Sequence, residues 1–420
     1  MHIGVAPTSL LLTSIILMKA LFVLRHHNDF DSMTPVIDGW VRLSGDHKAL
    51  VYISSPELKW RGDYRAKMLE ESGPVTFVDL WAVAGYGEGG VIAYQWQRNK
   101  PDMRLSRKLL QVATEFLVAP GFSTKMTGLL DEFSPDIIAF DFYGVPNRRH
   151  FLGFFGYQEI LAWRNLHNRP LVSLPHGLLL YSFDKKGKKL WTNYDAIFVE
   201  SERKKSLFDD DEAPRVISSG SPRYDPLWVE RISNRLDPDA AEAPLKDNKI
   251  NIVFFATKKA NYFKFPLLLS WLAHLAEHPD VKLVVQPHPR GQKLKDFASI
   301  TNLPNVHIDA RTPASTLIGN ADIVSTLVSS VVVEAVVREK EILFPKFVTK
   351  AETQFDEVGA CIALSKMEDT LPAIENFREG KRVPRERYEE FLRHFVYGDN
   401  DPHTIKRICA KMQEMAISRD

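Results

Sequence analysis

The chain has 420 residues, 45% of them hydrophobic and 25% charged, with 54 basic against 53 acidic side chains. One hydrophobic core rarely serves that length, so two folded units are expected. The near-neutral balance argues against a non-specific nucleic-acid binder, which carries a basic excess. Cys361 and Cys409 are the two cysteines; they lie far apart without metal-ligand spacing around them, which reads as two buried thiols in a reduced, cytosolic setting.

In chain order, the apolar stretch SLLLTSIILM comes first. At about ten residues it is too short to span a bilayer. No basic residues precede it and no small-residue cleavage site follows, so a secretory signal fits poorly. Residues 1–17 are read as an upstream start, or as a disordered or membrane-touching extension. The first strand follows in MKALFVLRHH. Apolar runs at 20–25, 49–54, 75–80, 136–142, 170–175 and 196–200 look like buried strands. Helix-period segments at 105–117 and 151–167 lie between them. Such alternation predicts βαβ units on a parallel sheet. Segment 231–248 is polar and lacks a strand signal, so it is read as a linker. The alternation restarts with strands at 250–257, 281–287, 305–309, 321–326 and 341–345, and helices at 265–278 and 329–340. The expectation is two Rossmann-like domains, 18–230 and 249–400, facing a central cleft. A terminal helix in 401–420 packs back on the first domain. Strand C-termini opening on the cleft make it the default ligand site.

Four segments place reactive side chains at strand ends. His176 in SLPHGLLLY follows a buried strand, where a histidine suits proton transfer near neutral pH and Gly177 permits close backbone approach; the alternative is a histidine satisfied in a turn. In SSGSPRYDP, Gly220 and Ser221 can open a phosphate-accepting turn, with Arg223 pairing either a phosphate or Asp225; an ordinary interdomain turn explains the same residues. In VVQPHPRG, Pro287 and Pro289 clamp His288 beside Arg290, which suits a diphosphate gaining charge as it leaves. Ser329 and Ser330 open a helix whose free N–H groups attract phosphate, with Glu334 placed for ribose hydroxyls; a plain capped core helix is the alternative.

Two further motifs are discounted. Gly85, Gly87 and Gly90 match GxGxxG but lack the strand and acidic residue of a dinucleotide site, so a loop is expected. Asp29 and Asp31 form a DxD, read as cleft-lining or as a turn rather than as a metal site. The surrounding segment 25–36 reads as a strand-end acceptor loop in which Asn28, Asp29 and Asp31 meet sugar hydroxyls.

The order of these features is more specific than any one of them. His176-Gly177 after a mid-chain strand, then Gly220-Ser221-Pro222-Arg223-Tyr224-Asp225, Pro287-His288-Pro289 and Ser329-Ser330 resemble the CDP-glycerol glycerophosphotransferase-like group of bacterial GT-B enzymes, which includes teichoic-acid and capsular polysaccharide transferases. FFATKK, with Thr257 and Lys258, resembles the start of that group's nucleotide domain, and the likeness runs over roughly 135–415. It implies His176 as the base that deprotonates the acceptor hydroxyl. It implies His288 with Arg223 on the departing nucleotide phosphate. Ser329, Ser330 and Glu334 would hold donor phosphate and ribose, with Gly177, Gly220, Ser221, Asp225, Thr257, Lys258, Pro289 and Arg290 around them and no metal or other cofactor. The implied partners are a CDP-, CMP- or UDP-linked donor and a glycan or lipid-linked acceptor, met in the cytoplasm or peripherally at the inner membrane face. Two departures stand out: Leu178, Leu179 and Leu180 replace the threonine, proline and lysine usual after the histidine-glycine pair, and Leu327 and Val328 replace an acidic residue before the serines. Competing readings are a non-hydrolysing UDP-sugar 2-epimerase, which shares the fold but calls for a carboxylate after His176, and a non-catalytic scaffold.

Overall fold

The computed structural model describes residues 17–56, 58, 60–87, 89–90, 121–141, 155–175, 177–178, 180, 194–236, 249–257, 263–288, 294–399 and 401–418. The apolar runs form two sheets. The first holds β1 (Lys19–Leu24), β2 (Lys48–Ile53), β3 (Val75–Asp79), β4 (Ile137–Asp141), β5 (Leu171–Leu174), β6 (Ala196–Val199) and β7 (Val216–Ser218) in the order β3-β2-β1-β4-β5-β6-β7. The second holds β8 (Ile250–Phe255), β9 (Val281–Gln286), β10 (Val306–Ile308), β11 (Ile323–Thr326), β12 (Glu341–Phe344) and β13 (Ile362–Ala363) in the order β10-β9-β8-β11-β12-β13. Every strand pair in both sheets is parallel. The winding reverses between β1 and β4 and again between β8 and β11, and at such switch points a crevice opens beyond the strand C-termini.

The inner strands of each sheet are buried on both faces, which is why they read as unbroken apolar runs. Side chains alternate across a strand, so Ala20, Phe22 and Leu24 of β1 enter one core while Leu21 and Val23 enter another. In the second sheet, Val253 and Phe255 face one core and Ile252 and Phe254 the opposite one.

Helix α1 (His27–Ser44) directly follows β1. It replaces the acceptor loop expected at 25–36. Phe30, Met33, Ile37, Trp40 and Val41 repeat at helical spacing and all are buried, and that burial outweighs the cost of Pro35 inside the helix. Further helices are α2 (Tyr64–Ser72), α3 (Tyr157–Leu166), α4 (Pro226–Arg235), α5 (Phe265–Ala276), α6 (Ala314–Asn320), α7 (Val331–Val337), α8 (Arg385–Phe395) and α9 (Thr404–Ile417). The expected linker at 231–248 is therefore helical as far as Arg235; residues 237–248 and the expected helix at 105–117 lie outside the described residues. Leu80–Ala84 is a short helix capped by Gly85 in a left-handed conformation, so the glycine run sits at a helix end rather than at a strand end. Among the described residues no helix is long and apolar enough to cross a membrane.

The chain's last helix completes the first domain. Ile408, Cys409, Met412 and Ala416 of α9 share a core with Phe30, Met33 and Trp40 of α1. The helices cross at Gly39, where a Cβ would lie 2.2 Å from the Ile405 methyl carbon. The return of the chain is fixed at Gly220, whose φ is +87° and where a Cβ would lie 2.5 Å from the Tyr397 carbonyl oxygen. Ser221 N–H donates to the Val396 carbonyl at 2.7 Å. Both cysteines are buried.

Gly220→Ala therefore combines a disfavoured left-handed backbone with a backbone clash. Its expected cost is about 2–4 kcal/mol, measurable by urea unfolding; an unchanged midpoint would show that the 220/397 contact is not tight.

Candidate active site

Most of the sequence-derived candidates follow directly on strand C-termini. Gly177 follows β5, Thr257 follows β8, His288 follows β9, and Ser329 and Ser330 follow β11. His176, Lys258, Pro289 and Arg290 lie outside the described residues. Gly177 has φ +63° with open space where a Cβ would stand, and its N–H donates to Ser32 Oγ of α1 at 3.3 Å. His288 is half-buried and Thr257 buried.

The two sheets meet at a charged cluster. Arg223, in the turn before α4, pairs with Asp31 of α1 at 3.2 Å, and both side chains remain partly exposed, at 29% and 28%. The other Asp31 oxygen pairs with Arg65 at the start of α2. Arg65 is buried and also grips Asp63 through both arms of its fork, at 2.8 and 2.6 Å, and it reaches His27 Nε2 at 3.2 Å. Burial alone would lower the basicity of Arg65, but the Asp63 hydrogen bonds and the Asp31 charge raise it. Arg223 behaves alike: burial opposes its charge, while Asp31, then Tyr224 and Glu334, hold it.

From the second domain, α7 comes up to this cluster. Tyr224 is buried in the second domain's core and donates its hydroxyl proton to the Ser330 carbonyl at 3.0 Å. Glu334, in the first turn of α7, is close enough to raise the pKa of Arg223, Tyr224 and Tyr64, and it pairs with Arg338 at 3.5 Å. Ser329 Oγ accepts from Val331 N–H at 3.4 Å. Ser330 makes no such side-chain cap, so only one of the two serines caps through its hydroxyl.

Three sequence expectations are corrected here. Gly220, Ser221 and Asp225 do not form a phosphate-accepting turn: they anchor the C-terminal segment. Asp225 is buried, with one oxygen accepting from Leu227 N–H and the other from Ile405 N–H, each at 3.0 Å. The carboxylate partner of Arg223 is Asp31 rather than Asp225. Asp29 cannot meet a sugar hydroxyl, because it is fully buried and accepts from Arg25 and His26 N–H at 2.6 and 2.8 Å. The DxD carboxylates thus have separate partners, and no group of three potential metal ligands occurs among the described residues. Arg65 was not foreseen. Its segment GDYRAK shows no motif, and its role appears only when the fold brings α1 and α2 together.

Beneath the cluster lies a buried charged trio. Arg25, just past β1, pairs with Asp141 at the end of β4 at 2.5 Å. Burial, reinforced by the Asp141 charge, pushes Asp29 up to about 7. Burial also raises Asp141, against the pull of Arg25.

No protein-family profile matches the sequence, and no curated protein matches it. Solved structures do match. The UDP-GlcNAc 2-epimerase of Neisseria meningitidis, bound to UDP-GlcNAc, aligns with a TM-score of 0.57 and 15% identity over 95% of this chain and 100% of its own. The UDP-GlcNAc 2-epimerase of Methanocaldococcus jannaschii aligns at 0.55 and 13%, over 94% and 100%. The wall teichoic acid polymerase TagF aligns at 0.54 and 12%, over 96% and 89%. The fold is GT-B. What is shared at these identities is architecture, and the chemistry of this chain must be argued from its own cleft.

Asp29 gives a pH test. Its folded value of about 7 lies above its ordinary 3.8, so the folded state keeps a proton that the unfolded chain releases. Stability therefore falls as pH rises from about 4 to about 7, and the penalty persists above that. Asp29→Asn removes the penalty. The variant is expected to match the wild type near pH 4 and exceed it by about 2–4 kcal/mol at pH 8, as read from urea midpoints across the range. Parallel pH profiles for the two proteins would contradict this assignment.

Proposed function

We propose that this chain transfers a sugar or polyol-phosphate from a CDP-, CMP- or UDP-linked donor to a hydroxyl of a cell-surface glycan or lipid-linked acceptor. The observation that carries this reading is the setting of Arg223. Its partly exposed side chain is fixed by Asp31, which the buried Arg65 holds from the other side, and Glu334 of α7 lies nearby. As the donor bond breaks, negative charge grows on the departing nucleotide phosphate. A cation already held in position stabilises that charge without rearrangement. Asp31 is shared between two arginines, so Arg223 retains attraction for an anion.

In this reading His288, at the end of β9, assists on the phosphate, and Ser329, Ser330 and Glu334 hold donor phosphate and ribose. Thr257, Lys258 and Arg290 complete the donor side. The acceptor hydroxyl attacks, the bond between the transferred group and the nucleotide breaks, and His176 takes the hydroxyl proton. Protein cations carry the charge, because the Asp31 and Asp29 carboxylates are already committed to arginines and to backbone N–H groups. The enzyme works in the cytoplasm, at the inner face of the membrane.

Non-hydrolysing UDP-sugar 2-epimerases share the architecture. The segment after His176 argues for transfer instead, since it offers leucines where that chemistry calls for a carboxylate. Leu180 is buried in the second domain's core and Leu178 packs against it.

The deciding experiment offers CDP-, CMP- and UDP-linked donors with and without a glycan acceptor and follows nucleotide release. Release that depends on acceptor is expected. Arg223→Ala should slow it about 10²-fold or more, and His176→Ala about 10²–10⁴-fold. Sugar isomerisation without release would replace this reading with the epimerase one, and full transfer by His176→Ala would remove the base.

A further inference from the structure

Away from the cleft, a cavity of about 540 Å³ opens between the second half of α1, the start of α4 and the start of α9. Asp38, its nearest point on α1, stands about 10 Å along the helix from Asp31 of the cleft, at 1.5 Å per residue. Its wall is amphipathic. The cations are Arg42, Arg231 and Lys406; the apolar contributors are Leu43, Leu227, Trp228 and Ile405.

Charge and exposure define what fits. Two carboxylates face the cavity, Asp38 and Asp225. Asp38 is shared by Arg42 at 3.2 Å and Arg231 at 3.1 Å, so one negative charge serves two guanidiniums. Asp225 is occupied by backbone N–H groups. Lys406 and His403 are exposed at the rim. Leu227 is 61% and Leu43 38% exposed, two large apolar side chains in water beside that cationic set. A small soluble anion has no use for exposed leucines, and an apolar ligand has none for three cations. An anionic head joined to an apolar chain uses both.

We propose that this groove binds an anionic phospholipid of the membrane surface, with its phosphate among Arg42, Arg231 and Lys406 and its first methylenes against Leu43 and Leu227. The site is distinct from the nucleotide cleft. It deepens the proposed function by seating the protein where a lipid-linked acceptor is found. In that respect it rests on the transferase reading, but lipid binding itself needs no nucleotide.

Cosedimentation of the full chain with vesicles tests this, using phosphatidylcholine alone or with one quarter phosphatidylglycerol, at low and physiological salt. The wild type should bind the anionic vesicles, more tightly at low salt, and the neutral ones at least tenfold less tightly. Lys406→Glu should weaken anionic binding about tenfold or more, and Leu227→Ser about tenfold. Neither substitution touches the cleft, so nucleotide-induced thermal shifts should be unchanged. Wild-type affinity in both variants, or no preference for anionic vesicles, overturns the proposal. Failure of nucleotide release with intact vesicle binding would instead strike the transferase reading alone.

Discussion

The carboxylate of Asp31 is the point on which the cleft depends. It lies in the second turn of α1, the helix that follows the central strand β1, and it is gripped by two guanidiniums from different parts of the chain. Arg65 brings α2, and Arg223 brings the turn that leads out of the first sheet. Buried ion pairs gain little net stability over apolar packing, because desolvation offsets attraction. Their gain is in geometry: each partner has one place to be. Here a shared carboxylate sets the position of Arg223, and the neighbouring Tyr224 carries that position to Ser330 in the second domain.

This arrangement divides the turn GSPRYD into two jobs. Arg223 lines the cleft beside Asp31 and Tyr224 reaches the other domain, while Gly220, Ser221 and Asp225 hold the returning C-terminal segment. One motif thus connects the cleft to the α1–α9 packing beneath it. The leucines after His176 follow the same logic. Leu180 leaves the first sheet and enters the second domain's core, where its carbonyl accepts from Gln354 N–H at 2.9 Å. A position that looked like a departure from the family resemblance is a structural strut between domains.

The fold was largely legible in the sequence, because parallel strands buried on both faces leave continuous apolar runs and all but the short strands β7 and β13 did so. What was hidden has physical causes. Helix α1 begins with His27, Asn28 and two aspartates and carries Pro35, so local propensity pointed to a loop while its apolar spacing pointed to a helix; packing decided for the helix. Strand-end residues such as Gly177, His288 and Ser329 were legible, since a strand end names its own location. Arg65 was not, because its partners Asp31 and Asp63 meet it through tertiary contact rather than through spacing. The anchoring role of Gly220 was equally hidden: a left-handed glycine signals a turn without saying what passes over it.

The order in which the parts are synthesised has a consequence of its own. The first sheet is finished by about the midpoint of the chain, yet Ile408, Cys409, Met412 and Ala416 fill one of its two faces. A nascent chain must therefore carry an unfinished hydrophobic face on α1 throughout translation of the second domain. That face stays open to aggregation until α9 has left the ribosome. The two domains are consequently not independent folding units. The second cannot complete its core without Leu180 and Tyr224 from the first half, and the first cannot complete its own without the last helix.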